Sequence, residues 1–178
     1  MKVVLISGKA RHGKDTVARC MEQYLYEHGE KVLVTHYGDL VKYTCKAFFK
    51  WNGVKDNNGR TLLQKVGTDY IRNKYPNFWV DYVIGVVTSF QDQWDYVLIP
   101  DVRFPNEIYR WESCEDVEVI RLRVNRDGYE SVLTPEQQAH ESETALDGYL
   151  FDYIIKNDKG LCELNEKVIS FIKEYLNE

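Results

Sequence analysis

The sequence predicts an α/β fold: a five-stranded, mainly parallel sheet with helices on both faces. Three observations predict it. Short aliphatic runs of strand length alternate with longer stretches of helical periodicity along all 178 residues. No repeat, low-complexity tract or long linker interrupts the alternation, so the chain reads as one domain over residues 1–178. A loop bracketed by glycines joins the first strand to the first helix.

The elements follow in order. Residues 3–6 (Val-Val-Leu-Ile) suit a buried strand. Residues 14–28 are a helix with Val17, Cys20, Met21, Tyr24, Leu25 and His28 on one face and Gly29 as its C-terminal cap. Residues 31–37 are the second strand. Asp39 then caps a helix whose inner face is Leu40, Thr44, Ala47, Phe48 and Trp51. The polar stretch 52–60 holds two glycines and reads as a loop, and 61–74 as helix. After Pro76 and Asn77, a further helix face is marked by Trp79, Tyr82, Val83, Val86, Val87 and Phe90. Residues 96–100 form a strand with Asp101 directly behind it, 106–113 a short helix and 117–124 the fourth strand. Arg121 and Arg123, two apart on one face of that strand, read as structural. Residues 126–148 are irregular, except that Thr134-Pro135-Glu136-Gln137 is a capping-box helix start. Residues 153–156 are the last strand, and Leu161, Leu164, Val168, Ile172 and Leu176 mark a closing helix.

Composition bounds the function. Hydrophobic residues make up 44 % of the chain, enough for a substantial core, and the net charge of −5 argues against a general nucleic-acid binder. A local basic pocket for a small anion remains open. Cys20, Cys45, Cys114 and Cys162 include no CxxC pair and read as reduced thiols. The apolar run at the N-terminus is too short for a signal peptide, and no stretch reaches the length of a membrane span. The expectation is a cytoplasmic protein that works on small molecules, with neither membrane nor nucleic acid as partner.

On a parallel sheet, ligands bind beyond the carboxyl ends of the strands. The loops after Ile6, Tyr37, Ile99, Val124 and Lys156 therefore surround one site. The first of them, Gly8-Lys9-Ala10-Arg11-His12-Gly13-Lys14-Asp15-Thr16, matches GxxxxGK between a strand and a helix, the context a phosphate-binding loop requires. Gly8 and Gly13 let successive amides turn inward, the helix adds its positive end, and Lys14 supplies a mobile charge for the β- and γ-phosphates. Asp15 stands where Ser or Thr ordinarily meets Mg²⁺, with Thr16 next; either one serves the metal. His12 either approaches a phosphate or faces solvent. Asp101 at a strand end fits a second Mg²⁺ carboxylate, or the cap of the next turn. Arg103, two residues on, points from the same crevice edge or pairs with Glu107. These residues together predict a three-layer P-loop NTPase fold.

The glycine loop resembles that of the phage-type deoxynucleoside monophosphate kinases. Further blocks resemble the family in its order: Arg60-Thr61-Leu62-Leu63-Gln64 with Gly67-Thr68-Asp69 and Arg72, then Trp79, Asp101-Val102-Arg103-Phe104-Pro105-Asn106-Glu107, His140-Glu141-Ser142-Glu143 with Leu146, and residues 153–158. The resemblance implies a nucleoside monophosphate kinase type of fold, with an acceptor-binding helical arm at about 38–92 and a lid at about 126–148. It implies ATP and Mg²⁺ as cofactors and a nucleoside monophosphate as acceptor, and it admits a homodimer. Carried onto this sequence, Lys14 and its loop hold the donor, Asp101 with Asp15 or Thr16 supports Mg²⁺, and Arg72 and Arg103 take the acceptor phosphate. Gln64 and Thr68 hydrogen-bond base or sugar, and Asn157 meets the donor adenine. Arg126, at the start of the lid, stabilises charge on the transferred group. Asp39 and Lys42 edge the acceptor pocket, although Asp39-Leu40-Val41-Lys42 departs from the Asp-Pro-Leu-Lys of relatives. Of the aromatics around the arm (Tyr37, Tyr70, Tyr75, Phe78 and Trp79), Tyr37 beside Gly38 is the one read as stacking on a base. Glu141 and Glu143 either orient arginines or form a solvated charge run. The alternatives are a related kinase acting on phosphomevalonate or dephospho-coenzyme A, and a nucleotide-binding switch without catalysis.

Overall fold

The computed structural model describes residues 1–176. Five strands, β1 (Lys2–Ser7), β2 (Val32–Val34), β3 (Tyr96–Val102), β4 (Glu118–Asn125) and β5 (Tyr153–Lys156), pair throughout in parallel in the order β2-β3-β1-β4-β5. The predicted mainly parallel sheet of five is what forms. β1 is buried on both faces, and its alternation divides the core. Val4 and Ile6 join α1 (Lys14–Glu27) and α8 (Leu161–Phe171) on one side, while Val3 and Leu5 join α4 (Phe78–Ser89) and α5 (Asn106–Glu112) on the other.

α1 buries Val17, Ala18, Met21 and Leu25. It ends in a Schellman pair, Gly29 N–H to Tyr26 O and Glu30 N–H to Leu25 O, with Gly29 at φ 88°. His28, expected on the inner face, is instead exposed and bonds back to Tyr24 O.

The helical arm departs from expectation in several places. β2 is three residues long, and Tyr37 opens α2 (Tyr37–Phe49) where a strand end was expected. Asp39 lies in the first turn of α2 and does not cap it; its carboxylate pairs with Lys42 Nζ at 2.7 Å. The buried residues of α2 are Tyr37 and Cys45, with Leu40 and Val41 partly buried, whereas Phe48 is 77 % exposed. The outer face of the helix, with Tyr43, Phe48 and Phe49, is left uncovered, so its apolar residues outnumber the core positions it can reach. The expected loop at 52–60 is cut short by α3 (Asn57–Gln64), whose N-cap Asp56 accepts the Gly59 amide at 2.7 Å. A π-helical stretch (Lys65–Arg72) continues α3. Val83 and Val87 of α4 face the core as read, but Tyr82, Val86 and Phe90 face outward; Val80 takes the inner place.

The arm is tied to β3 by Asp101. Its Oδ1 accepts the Tyr37 amide at 3.1 Å and its Oδ2 the Gly38 amide at 2.8 Å, satisfying two N-terminal donors of α2. The capping box at Thr134 forms as predicted and starts α6 (Pro135–Ala139), followed by α7 (Glu141–Thr144).

Tyr37 is not the base-stacking residue the sequence suggested. It is 3 % exposed, its hydroxyl donates to Glu107 O at 3.2 Å, and it accepts from Trp111 Nε1 at 2.7 Å. Burial pushes its phenol well above the ordinary value. Tyr37→Phe is expected to lose about 1–3 kcal/mol of stability, because it strands the buried Trp111 donor. The shift in the urea unfolding midpoint at unchanged slope measures it.

Candidate active site

The phosphate-loop segment leaves β1 at the centre of the sheet, between the carboxyl ends of β3 and β4. It passes its neighbours too closely for a side chain at either glycine. A Cβ on Gly8 would lie 2.4 Å from Val124 O, and one on Gly13 2.6 Å from Asn157 Nδ2. Both glycines have positive φ, 145° and 102°, and Arg11 between them sits at φ 64°. Such alternation turns amides to one side and forms an anion nest. Asn157 buttresses this nest, donating to His12 O at 2.9 Å. That bond, with the Gly13 contact, gives Asn157 a structural task besides the adenine contact expected of it.

Lys14 is buried, and its Nζ curls onto the loop, donating to Gly8 O at 2.8 Å and Lys9 O at 2.9 Å. Burial, and then the Arg103 charge, lower its pKa to about 8. His12 is half-buried rather than solvent-facing. Its Nδ1 accepts the Arg126 amide at 3.1 Å, and burial followed by the Lys14 charge pulls its pKa down. Arg126 itself is exposed at the cavity rim, its guanidinium over the Tyr129 ring.

One cavity of about 1080 Å³ collects most of the expected site. Ala10, Arg11, Gly13, Lys14, Asp15, Thr16 and Asn157 line one part, and Lys42, Gln64, Thr68, Arg72, Asp101, Arg103 and Arg126 also reach it. Gly8, Lys9, His12 and Asp39 do not line it. Lys9 turns away to pair with Asp147. Nine Lys and Arg residues line the cavity against six Asp and Glu, in a chain of net charge −5. The local excess of cations suits an anionic ligand.

The sequence reading passed over Lys55 and gave Arg60 and Gln137 no place at the site, although it named Arg60 in a family block and Gln137 in a cap. Lys55 and Arg60 join the cavity wall. Gln137 was read only as part of a cap, yet its Nε2 also reaches Asn57 O and Thr61 Oγ1 at 3.3 Å each, pinning α6 onto α3. Trp79 is core, as preferred, with its indole N–H on Gly67 O.

Arg72 and Glu107 form a buried ion pair at 2.5 Å. Glu107 also accepts the amides of Arg103 at 2.6 Å and Phe104 at 3.1 Å, so its bond to Arg103 runs through the backbone and not the guanidinium. Burial pushes the Glu107 carboxyl up, opposed by Arg72 and those amides. Arg72 Nη1 donates to Asn106 Oδ1, the guanidinium lies 3.9 Å from the Phe104 ring centre, and its Nε is buried without a partner.

Asp15 is held below the ordinary carboxylate range by its hydrogen bond from His36, whose own pKa is raised by the same bond. Among the described residues no group of three or more His, Cys, Asp or Glu forms a metal cage. One or two carboxylates completed by ligand phosphates and water are what Mg²⁺ accepts, and Asp15 and Asp101 on this cavity fit that pattern. The nest, the cation excess and these oxygens together fit a nucleoside triphosphate with its metal.

The chain matches the deoxynucleotide monophosphate kinase family over residues 25–168. It belongs to that family. The match begins inside α1, so the glycine loop is an observation independent of it. Two viral proteins are similar to this chain. The deoxynucleotide monophosphate kinase of Enterobacteria phage T4 is 28 % identical over 68 % of this chain and 48 % of its own length. The uncharacterized protein ORF77 of Ictalurid herpesvirus 1 is 32 % identical over 81 % of this chain and 59 % of its own. The chain thus spans about half the length of these relatives. Solved structures share the fold. Mycobacterium tuberculosis APS kinase bound to AMPPNP and APS has TM-score 0.52 at 13 % identity, covering 97 % of both chains. Aquifex aeolicus shikimate kinase has TM-score 0.50 at 12 % identity, covering 99 % of this chain and 98 % of that one. The family has the P-loop kinase fold here, and no helix among the described residues is long and apolar enough to cross a membrane.

Two outcomes are expected. Arg72→Ala leaves Glu107 buried and unpaired and should cost about 3–5 kcal/mol, at the lower end because two amides still serve the carboxylate; urea unfolding reads it. A bound triphosphate favours charged Lys14 and raises its pKa, so binding takes up a proton above about pH 8. Affinity should be flat just below about pH 8 and fall by up to about tenfold per unit above it, a dependence that Lys14→Arg removes; titration calorimetry tests this.

Proposed function

We propose that the chain transfers the γ-phosphoryl group of ATP to a deoxynucleoside monophosphate, yielding ADP and the deoxynucleoside diphosphate. The observation that carries this reading is a single cavity shared by Lys14 and the glycine loop with Gln64, Thr68, Arg72 and Arg103. Donor and acceptor sides face a common space, as direct transfer requires. Membership of the deoxynucleotide monophosphate kinase family supports the acceptor class.

Phosphoryl transfer asks little covalent chemistry of the protein and much positioning. The Gly8–Thr16 loop cradles the triphosphate, and Lys14 leaves its loop carbonyls to meet the β- and γ-phosphates. Mg²⁺, when bound, neutralises phosphate charge beside Asp101 and Asp15 or Thr16. Arg103 meets the acceptor phosphate, with Arg72 behind it on Glu107. Gln64 and Thr68, one helical step apart on the arm, face the base or sugar. Arg126 reaches the transferred group from the rim, and the lid excludes water that would hydrolyse ATP. Such an enzyme serves cytoplasmic deoxynucleotide metabolism.

A coupled assay of ADP release tests the proposal, with a panel of deoxynucleoside monophosphates and with phosphomevalonate and dephospho-coenzyme A as controls. At least one deoxynucleoside monophosphate should stimulate release; stimulation only by a control reassigns the acceptor, and none at all leaves a nucleotide binder. Lys14→Ala should reduce acceptor-dependent turnover by about a hundredfold or more while thermal unfolding keeps its cooperativity. Full turnover in that variant would remove Lys14 from the chemistry.

A further inference from the structure

The HESE block contains two glutamates with different surroundings. Glu141 is exposed. The Glu143 side chain is 7 % exposed and held at both oxygens: Oε1 accepts from Arg103 Nη1, and Oε2 accepts the Ala10 amide of the phosphate loop at 3.1 Å. Its backbone carbonyl accepts from Lys9 Nζ. α7 is anchored beneath by Leu146, which is buried in the core cluster of α4 and α5. This carboxylate is built into the structure.

What it does to Arg103 is specific. Both protein bonds of the guanidinium run through Nη1, to Glu143 and to Ser142 O at 2.9 Å. Among the described residues, Nε and Nη2 make no hydrogen bond to the protein, and Arg103 lines the cavity. A guanidinium offers five donors in a rigid fork. Anchoring one corner fixes the plane and leaves other donors for an incoming anion.

We propose that Glu143 is a positioning residue for the phosphoryl acceptor. It fixes Arg103 so that the remaining N–H groups meet the acceptor's phosphate, and it ties that arginine to the phosphate loop through the Ala10 amide. The inference rests on the proposed function and adds to it the residue that registers acceptor against donor. The opposing reading is that Glu143 occupies the phosphate's own position and competes with it.

The test uses the full chain and the deoxynucleoside monophosphate that stimulates ADP release most. Its binding is measured by titration calorimetry without ATP, and its KM alongside, for Glu143→Ala, Arg103→Ala and the double variant. Glu143→Ala should weaken acceptor binding and raise acceptor KM about tenfold, with the ATP KM changed less than about twofold. In the Arg103→Ala background the same change should alter acceptor binding less than about twofold, because its route is already gone. Equal effects in both backgrounds, an unchanged acceptor affinity, or a tighter one would overturn the inference while leaving the proposed function standing. No stimulation of the unsubstituted chain by any panel member would overturn both. If Glu143→Ala does not fold, Glu143→Gln gives the same comparison with a smaller effect, about threefold, expected only when Arg103 is present.

Discussion

Everything at the site depends on how closely the β1–α1 loop passes its neighbours. Val124 O on β4 and the Asn157 amide leave room for a hydrogen at Gly8 and Gly13 and nothing larger. The close approach fixes the left-handed backbone of the loop, and that backbone aims its amides. It also hands α1 its first turn, since Gly13 is the N-cap and Lys14 the first helical residue. The position of the nest is therefore set by sheet packing, and Lys14 Nζ, folded onto the loop carbonyls, adds the side-chain charge. His12 shows the same logic from the side: its Nδ1 holds the start of the 126–148 segment by accepting the Arg126 amide.

A second constraint runs through the buried polar groups that join β3, α5 and the arm. Asp101 serves the α2 amides, Tyr37 joins Trp111 to Glu107, and Glu107 holds Arg72 and the turn after β3. Members of such a network are costly to remove singly because each leaves a partner without a bond in a region of low polarity. Charges that line the cavity are thus the same charges that hold the arm on the sheet. Function and stability are read from the same few residues, and variants there require both measurements.

Much of this was legible in the chain. β1 and β3 follow from aliphatic runs whose burial on two faces erases alternation, β4 keeps an alternation of buried and half-buried residues, and β5 falls at the residues the pattern indicated. The glycine loop was legible because its conformation is locally encoded. The arm was less so. Phe48, Tyr82, Val86 and Phe90 carry helical periodicity but lie outside the core, since periodicity reports an apolar face and not whether anything covers it. Tyr37 looked like a strand end because β2 stops early, after pairing only three residues with β3. Gln137 has the local signature of a cap, and Glu143 that of a charge run, with an arginine contact admitted but no arginine named. Their partners lie 76 and 40 residues away at Thr61 and Arg103, where no local signal reaches.

The 137–147 segment is fastened on two sides. Gln137 and His140 hold it to the arm at Thr61 and Asp69, and Glu143 and Asp147 hold it to the loop at Ala10 and Lys9. A segment ordered in this way loses its conformational entropy when the chain folds, not when a ligand arrives. Ligands that fit therefore gain affinity without ordering the strap themselves.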